Sequence, residues 1–265
     1  MRLIVTRPAA QAMPWVVALQ ALGLDAQALP LIDIAPPRDL APVRAAWRAL
    51  DAMALDSLRQ DSQALVMFVS ANAVEHFFAA RPTGLEWPAT LLAGSTGPGT
   101  TAALRAAGVP HIEEPAADAP QFDTEALWAR LALRRWQGAR VWVVRGEDGR
   151  DWLADTLRAQ GAEVAFVAAY RRVPPVLDAA GRALLAAARA KPEQHLWLFS
   201  SSQALGHLQA LSGAGDWSAA LAFASHPRIA QAARQAGFGQ VALVAPTPQA
   251  VALQLGRAGP GAIEP

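Results

Sequence analysis

Apolar and polar positions along this chain alternate between two patterns, that of short buried strands and that of amphipathic helices. The segment LVMFVSANAVEHF, residues 65–77, begins with an apolar run typical of a buried strand. A small polar cluster and a first helical turn follow. The segment LWLFSSSQALGHL, residues 196–208, repeats this order. Strands that alternate with helices predict a parallel sheet covered on both faces, so the pattern indicates an α/β protein.

Three such strand–turn–helix units occur twice, in the same order. The pairs are residues 3–37 with 141–175, residues 65–77 with 196–208, and residues 95–109 with 224–238. The first pair aligns without a gap, with glycine after each helix and a Pro-Pro pair at each end. Glycine supplies a left-handed helix cap, and proline ends a strand. The repeat predicts two similar lobes, each a parallel sheet flanked by helices in a flavodoxin-like arrangement.

The order of the units allows two lobe arrangements. The units could form two tandem lobes, or the first unit could join the last two, with the middle three inserted. The prolines at 36–37 and 174–175 occupy equivalent positions, which favours the interleaved arrangement. We therefore predict one lobe of residues 1–36 and 175–265, and an inserted lobe of residues 37–174.

Small and polar residues stand where each predicted strand ends. In open parallel sheets, ligands bind beyond these carboxyl ends, where the next helix offers free N–H groups and a positive dipole end. For any single turn, plain N-capping explains the residues equally well. Six such turns in two lobes favour an anion-binding cleft. The candidate binding residues are Thr6, Arg7, Ser70, Ala71, Asn72, Gly97, Gly99, Thr100, Arg145, Gly146, Ser200, Ser201, Ser202 and His226. The two arginines could face the cleft or pair with an acid at the strand edge.

Composition narrows the possible classes. With 265 residues, 53% of them hydrophobic and 17% charged, the chain can bury a substantial core. A net charge of +1 does not indicate the basic surface that is typical of nucleic-acid-binding proteins. The absence of cysteine fits a reducing compartment. There is neither an apolar run of ~18 residues nor a signal-peptide pattern, so we expect a cytoplasmic protein with no membrane partner. The histidines are scattered without ligand spacing, and we expect no metal site.

Seven segments, in chain order, resemble the uroporphyrinogen-III synthase family. They are VTRP at Val5, FVSANAV at Phe68, GPGTTAAL at Gly97, FDTEALW at Phe122, VRGEDGRDWLADTLRAQGAEV at Val144, AYRR at Ala169 and FSSSQAL at Phe199. Val69 stands where the family usually has Thr, and Thr96 where an apolar residue is common. The resemblance implies two interleaved lobes, a two-stranded connection between them, and an active site in the cleft.

The resemblance also implies a reaction. Linear hydroxymethylbilane would lose its terminal hydroxyl and close to uroporphyrinogen III with the last pyrrole ring inverted, in heme and other tetrapyrrole biosynthesis. The implied route runs through an azafulvene cation and a spiro intermediate, with no metal or organic cofactor. The substrate is a polycarboxylate, which suits anion-binding turns. We expect a monomer whose only macromolecular partner is the upstream enzyme that makes hydroxymethylbilane.

Tyr170 is the candidate catalytic residue. It is the only tyrosine in the chain, and its counterpart in the repeat is Ile32. From the residues alone, an aromatic side chain packed in a strand at the lobe junction is the simpler interpretation. Tyr170 matches the family's tyrosine on the connection between the lobes, and this match favours a phenol that donates a hydrogen bond to the departing hydroxyl.

Two other functions are compatible with two lobes and an anion-binding cleft. One is a non-catalytic sensor of an anionic metabolite, and the other is a glycosyltransferase. A sensor would be favoured by a flanking DNA-binding segment, which is absent from this sequence. A transferase would be favoured by a nucleotide-binding signature, and STGPGT, residues 95–100, lacks the spacing of either common glycine-rich motif.

Overall fold

The computed structural model describes residues 1–56, 64–119, 122–213 and 215–257. The chain divides into two compact units, each with its own sheet. Unit one comprises Met1–Asp33 and Val173–Pro265, and unit two comprises Ile34–Arg172.

Unit one contains a parallel sheet. Its strands are β1 (Arg2–Val5), β2 (Ala26–Ala28), β9 (His195–Phe199), β10 (Leu221–Ala224) and β11 (Gln240–Leu243), in the order β11-β10-β9-β1-β2. Each neighbouring pair in this order is parallel. The flanking helices are α1 (Ala9–Ala21), α7 (Ala179–Ala190), α8 (Ser202–Ser212), α9 (Pro227–Gln235) and α10 (Pro248–Arg257), with a short 3-10 turn at Pro192–Gln194.

Unit two contains a mixed sheet. Its strands are β3 (Asp33–Ala35), β4 (Ala64–Phe68), β5 (Leu92–Ser95), β6 (His111–Glu113), β7 (Arg140–Gly146) and β8 (Glu163–Val173), in the order β3-β8-β7-β4-β5-β6. Its helices are α2 (Ala41–Asp56), α3 (Ala71–Ala79), α4 (Pro98–Ala106), α5 (Thr124–Leu131) and α6 (Trp152–Ala159).

The edge strand β3 adds a detail that the sequence did not predict to the parallel sheet expected in this lobe. The pairs from β8 through β6 are parallel, as predicted. β3 lies at the edge beside β8 and makes the sheet mixed. β3 and β8 lie far apart in the chain, so no short connection fixes their relative direction.

Each unit has an aromatic-rich core. In unit two, Trp47 and Phe77 stack with ring centroids 4.8 Å apart, and Phe68 packs edge-on against Phe77. In unit one, Trp197 stacks parallel to Phe199 with the centroids 5.9 Å apart. All five side chains are fully buried. Burial of each large apolar side chain contributes ~1.5–3 kcal/mol, so these clusters hold each sheet to its helices.

Glycines end the repeated helices as the sequence predicted. Gly23 after α1 and Gly161 after α6 have φ of 80° and 86°. Gly108 after α4 and Gly237 after α9 have φ of 81° and 94°. Residues that carry a side chain rarely adopt this left-handed backbone conformation, so the predicted glycine caps are confirmed. Separately, none of the helices within the described residues is long and apolar enough to cross a bilayer.

Candidate functional site

The turn after β4 places polar groups at the carboxyl edge of the sheet in unit two. Ser70 caps α3, and its Oγ accepts the Ala73 N–H at 3.2 Å. The N–H groups of Ala71 and Asn72, in the first turn of α3, have no acceptor among the described residues. They therefore remain available to an anion at the positive end of the helix dipole.

The turn after β5 lies next to the turn after β4, because the two strands are neighbours. The Thr96 hydroxyl donates to the Val69 carbonyl at 3.2 Å and joins the two turns. Gly97 N–H donates to Ser95 Oγ at 3.1 Å, and Thr100 N–H donates to the Gly97 carbonyl at 3.0 Å. Gly99 N–H has no acceptor in the described part of the chain. Of the predicted donors in this turn, Gly99 is the one that stays open.

Tyr170 lies in the core of unit two and reaches the Ser70 turn. Its side chain is 1% exposed, and its hydroxyl oxygen is 3.3 Å from Ser70 Oγ. The ring stacks on His76, with the centroids 6.2 Å apart and an interplanar angle of 25°. Tyr170 and Ser70 are thus brought together, whereas the contact with His76 had no signal in the sequence.

A bulge between β7 and β8 sets the direction of Tyr170. Arg145 pairs with Ala168, but the next residue, Gly146, pairs with Tyr170, so Ala169 is the extra residue. Bulges re-aim side chains and bend the strand. A Cβ on Gly146 would stand 3.1 Å from two ring carbons of Tyr170, so glycine at this position makes room for the ring.

The hydrogen bonds around Ser70 leave the proton of Tyr170 free. Ser70 Oγ accepts the Ala73 N–H, and the Ser70 hydroxyl donates its own hydrogen to the Tyr170 oxygen. The phenol then accepts from Ser70 and retains its hydrogen for another acceptor. Hydrogen bonds in such a chain polarise one another, so Ser70 makes the phenol a better donor.

In unit one, the turn after β9 carries two polar atoms without partners. Ser201 caps α8, and its Oγ accepts the Gln203 N–H at 3.2 Å. Ser202 Oγ and Gln203 Oε1 are buried and have no hydrogen-bond partner within the described residues. The Ser202 N–H is also open there. Buried polar atoms are nearly always paired in folded proteins, so these atoms point to a ligand. Ser200 lies between the strand and its helix cap.

Two other predicted residues of unit one have structural partners. The Thr6 hydroxyl is buried and donates to the Leu198 carbonyl at 2.7 Å. His226 caps α9, and its Nδ1 accepts the Arg228 N–H at 3.2 Å. A neutral imidazole with an accepting Nδ1 carries its proton on Nε2, so only Nε2 can donate to a ligand.

The repeated arginines Arg7 and Arg145 have different environments. The Arg145 guanidinium lies over the Phe166 ring, 3.8 Å from its centroid, and forms an ion pair with Asp151. Arg7 lies over the Trp15 ring, 4.3 Å from its centroid, and its Nε is buried without a partner among the described residues. Burial lowers the pKa of the Arg7 guanidinium from its ordinary value. Of the two alternatives left open by the sequence, Arg145 takes the pairing with an acid.

A cavity of about 650 Å³ lies elsewhere in unit one, between α1, β2 and α7. Its walls are mainly apolar, with Met13, Val16, Leu29 and Leu184 among them. None of the predicted binding residues lines it. The candidate site is therefore the set of strand-end turns and not this cavity.

Two units, each a sheet flanked by helices with unpaired backbone donors at the carboxyl edge, define a two-lobed α/β protein with candidate anion-binding turns. The model of the family HEM4, uroporphyrinogen-III synthase HemD, matches residues 14–253. The chain belongs to the uroporphyrinogen-III synthase family. The family resemblance inferred from the seven segments is thereby confirmed.

Curated relatives carry the same family name. The chain is 30% identical over 184 residues to the uroporphyrinogen-III synthase of Salmonella typhimurium, covering 69% of this chain and 70% of that one. It is 29% identical over 184 residues to the uroporphyrinogen-III synthase of Escherichia coli, with the same coverage.

Solved structures share the fold. A mutant uroporphyrinogen III synthase from Thermus thermophilus aligns with a TM-score of 0.55 at 18% identity, over 97% of each chain. A uroporphyrinogen-III synthetase from Helicobacter pylori aligns with a TM-score of 0.55 at 16% identity, over 97% of this chain and 99% of that one. At these identities the likeness concerns the fold, and it confirms the predicted α/β class.

Proposed function

We propose that this chain dehydrates and cyclises linear hydroxymethylbilane to uroporphyrinogen III, inverting the last pyrrole ring, and so acts as a lyase in tetrapyrrole biosynthesis. Family membership supports the reaction. The observation that carries the chemistry is the Tyr170 hydroxyl, which lies against Ser70 and keeps its own hydrogen free.

The first step is loss of the terminal hydroxyl. Tyr170 donates a hydrogen bond to the departing oxygen while its C–O bond breaks, and the oxygen leaves as water after taking up a proton. The remaining azafulvene cation is attacked by the substituted carbon of the last ring, which gives the spiro intermediate. Fragmentation, reclosure and loss of a proton complete the inverted macrocycle. Hydrogen-bond assistance to the leaving group lowers the free-energy barrier to loss of the hydroxyl. The position in which the binding residues hold the substrate selects ring closure with inversion.

The substrate's carboxylates bind the open backbone donors at the strand ends. In unit two these are the N–H groups of Ala71, Asn72 and Gly99, and in unit one that of Ser202. Each belongs to the first turn of a helix, where the dipole favours negative charge. Backbone donors hold carboxylates without adding a mobile charge beside the cationic intermediate.

The decisive experiment separates porphyrin isomers. Hydroxymethylbilane is supplied to the purified protein, the products are oxidised, and isomers I and III are resolved by chromatography. Spontaneous closure yields isomer I, so isomer III must come from the enzyme. An isomer ratio equal to that of the protein-free control would overturn the proposal. A non-catalytic sensor would bind a polycarboxylate and give that same ratio, and family membership does not favour it.

We further propose that the protein works as a monomer in the cytoplasm and receives hydroxymethylbilane directly from the enzyme that produces it. Because the bilane closes spontaneously to isomer I, a short path between the two enzymes would reduce this loss. Sedimentation of the purified protein tests the monomer. Mixed with the upstream enzyme, the protein should yield less isomer I than an equal supply of free bilane does.

A further inference from the structure

The two arginines at the ends of β1 and β7 occupy the same position of the repeat but differ in charge balance. Arg145 is neutralised within its own unit by Asp151. Its guanidinium is also covered by the Phe166 ring. An arginine that is already ion-paired binds a further anion only weakly.

Arg7 has no such counter-ion. Asp151 immediately precedes α6, whereas Pro8 immediately precedes α1, so no acid stands at the start of α1. No carboxylate pairs with Arg7 within the described part of the chain, and its Nε is buried without an acceptor. A cation that is partly removed from water and left unpaired is costly, so a protein rarely keeps one without a use.

Ser202 lies at the neighbouring strand end. β1 pairs with β9 in the register Val5 with Leu198, so the turns that follow the two strands leave the same edge of the sheet side by side. Ser202 Oγ is buried and unpartnered in the described residues, like Arg7 Nε. The Arg7 guanidinium carbon lies over the Trp15 ring, 4.3 Å from its centroid, so an anion has to approach the guanidinium from a side that the ring does not cover.

We propose that Arg7 and Ser202 form a carboxylate site for the polycarboxylate substrate, and that Arg145 does not bind substrate. The guanidinium Nε–H and the Ser202 hydroxyl donate to one carboxylate, supplemented by the Ser202 N–H. This inference rests on the proposed function and adds to it a division between the units. Unit one supplies a charged anion site, and unit two supplies the phenol.

The sharpest test separates the charge of Arg7 from its hydrogen-bond geometry. Arg7→Gln removes the charge, and Arg7→Lys keeps the charge but loses the Nε–H. Arg2→Gln is the matched control, because Arg2 begins the strand that Arg7 follows and pairs with Asp25 at the surface. Loss of one charge-assisted contact in Arg7→Gln predicts a ~10-fold rise in KM for hydroxymethylbilane with kcat nearly unchanged. Arg2→Gln should stay within about twofold of the wild type, since it breaks only an exposed ion pair.

A binding readout separates this site from turnover. Uroporphyrin I, a polycarboxylate, serves as the probe, with its fluorescence titrated against the wild type and the variants Arg7→Gln, Arg7→Lys, Arg2→Gln and Ser202→Ala. Arg7→Gln should raise the Kd for uroporphyrin I by ~10-fold or more, and Ser202→Ala should raise it by about threefold. The salt dependence of binding should weaken in Arg7→Gln.

The outcomes divide cleanly. Folded Arg7→Gln and Ser202→Ala proteins with wild-type KM and wild-type probe affinity would overturn the carboxylate site, even if isomer III is made. A wild type that makes no isomer III but binds uroporphyrin I in an Arg7-dependent way would overturn the proposed function and leave the site standing. If Arg7→Gln does not fold, Arg7→Lys and Ser202→Ala decide, because both keep a positive charge at position 7.

Discussion

The hydroxyl oxygens of Ser70 and Tyr170 lie 3.3 Å apart although the two residues are 100 positions apart in the chain. Ser70 therefore has two roles. It caps α3 through Ala73 N–H, and it orients the phenol that we propose as the donor to the leaving hydroxyl.

Tyr170→Phe should keep the ring packing and slow turnover. General acid assistance typically contributes ~10²–10⁴-fold. The pyrrole already activates the hydroxymethyl group, so we expect the low end of that range or less. The isomer ratio should hold better than the rate, because inversion depends on how the substrate is gripped. Melting temperature and turnover are measured on the same sample. Unchanged turnover in a fully folded variant would leave Tyr170 as a packing residue only.

Ser70→Ala should cost both stability and rate. Loss of an N-cap destabilises by ~1 kcal/mol. Loss of the hydrogen bond to Tyr170 should slow kcat by about 3–10-fold, corresponding to one ordinary hydrogen bond.

Asp178→Ala is the matched control for Ser70→Ala. Asp178 caps α7 by accepting the Gly181 N–H at 2.7 Å, and it lies outside the candidate site. The Asp178→Ala variant should lose about as much stability as Ser70→Ala but keep the wild-type kcat. A double variant, Ser70→Ala with Tyr170→Phe, should be hardly slower than Tyr170→Phe alone. Fully additive rate losses would contradict the role of Ser70 in orienting the phenol.

Gly146→Ala should disturb the phenol without unfolding the protein. The new Cβ would stand 3.1 Å from the Tyr170 ring, so the ring or the strand must shift by a few tenths of an ångström. Overpacking of this kind costs ~1–3 kcal/mol. We expect a clear loss of kcat at a temperature where the variant is folded.

Gly206→Ala provides the comparison for Gly146→Ala. Gly206 lies in α8, and a Cβ there meets no atom within 4 Å. This change should stabilise the helix by about 0.5–1 kcal/mol and leave kcat unaltered. Equal kinetics in the two variants would show that the close approach of Gly146 to Tyr170 has no catalytic consequence.

Trp197→Phe should be tolerated better than Trp47→Phe. Both side chains are fully buried. The Trp47 indole N–H donates to the Phe77 carbonyl at 3.0 Å, whereas that of Trp197 has no acceptor among the described residues. Replacement of Trp47 removes this hydrogen bond and leaves the Phe77 carbonyl without it. The loss in free energy of unfolding should therefore be about 1 kcal/mol larger than for Trp197→Phe. Urea unfolding of the two variants measures the difference, and an equal or reversed cost would refute the argument.

Much of the architecture could be predicted from local pattern and repetition. The apolar runs predicted strands such as β4 and β9, and the glycines at 23 and 161 predicted the helix ends, because these depend on residues close in sequence. The direction of β3 and the bulge at Ala169 could not be predicted, since each depends on how a strand meets its neighbour in three dimensions.

The candidate site divides in the same way. The turns were predictable because strand ends recur in the repeat. The hydrogen-bond and ion-pair partners of their side chains were not predictable. Asp151, for example, pairs with Arg145 and does not cap α6 with its side chain, and this choice depends on the geometry of one turn. Similarly, the use of Gly97 N–H by Ser95 depends on a hydroxyl rotamer that no spacing reveals.

The ion pair between Arg145 and Asp151 has an electrostatic consequence for the proposed reaction. The Arg145 guanidinium lies over the Phe166 ring and has its charge opposed by Asp151. It therefore acts on more distant groups as a dipole, whose field falls off faster with distance than that of a lone charge. The arginine over the Tyr170 ring is Arg172, with its Cζ 6.0 Å from the ring centroid. An azafulvene cation at the Tyr170 hydroxyl would be repelled by Arg172 and little by Arg145, since like charges repel strongly where water is scarce.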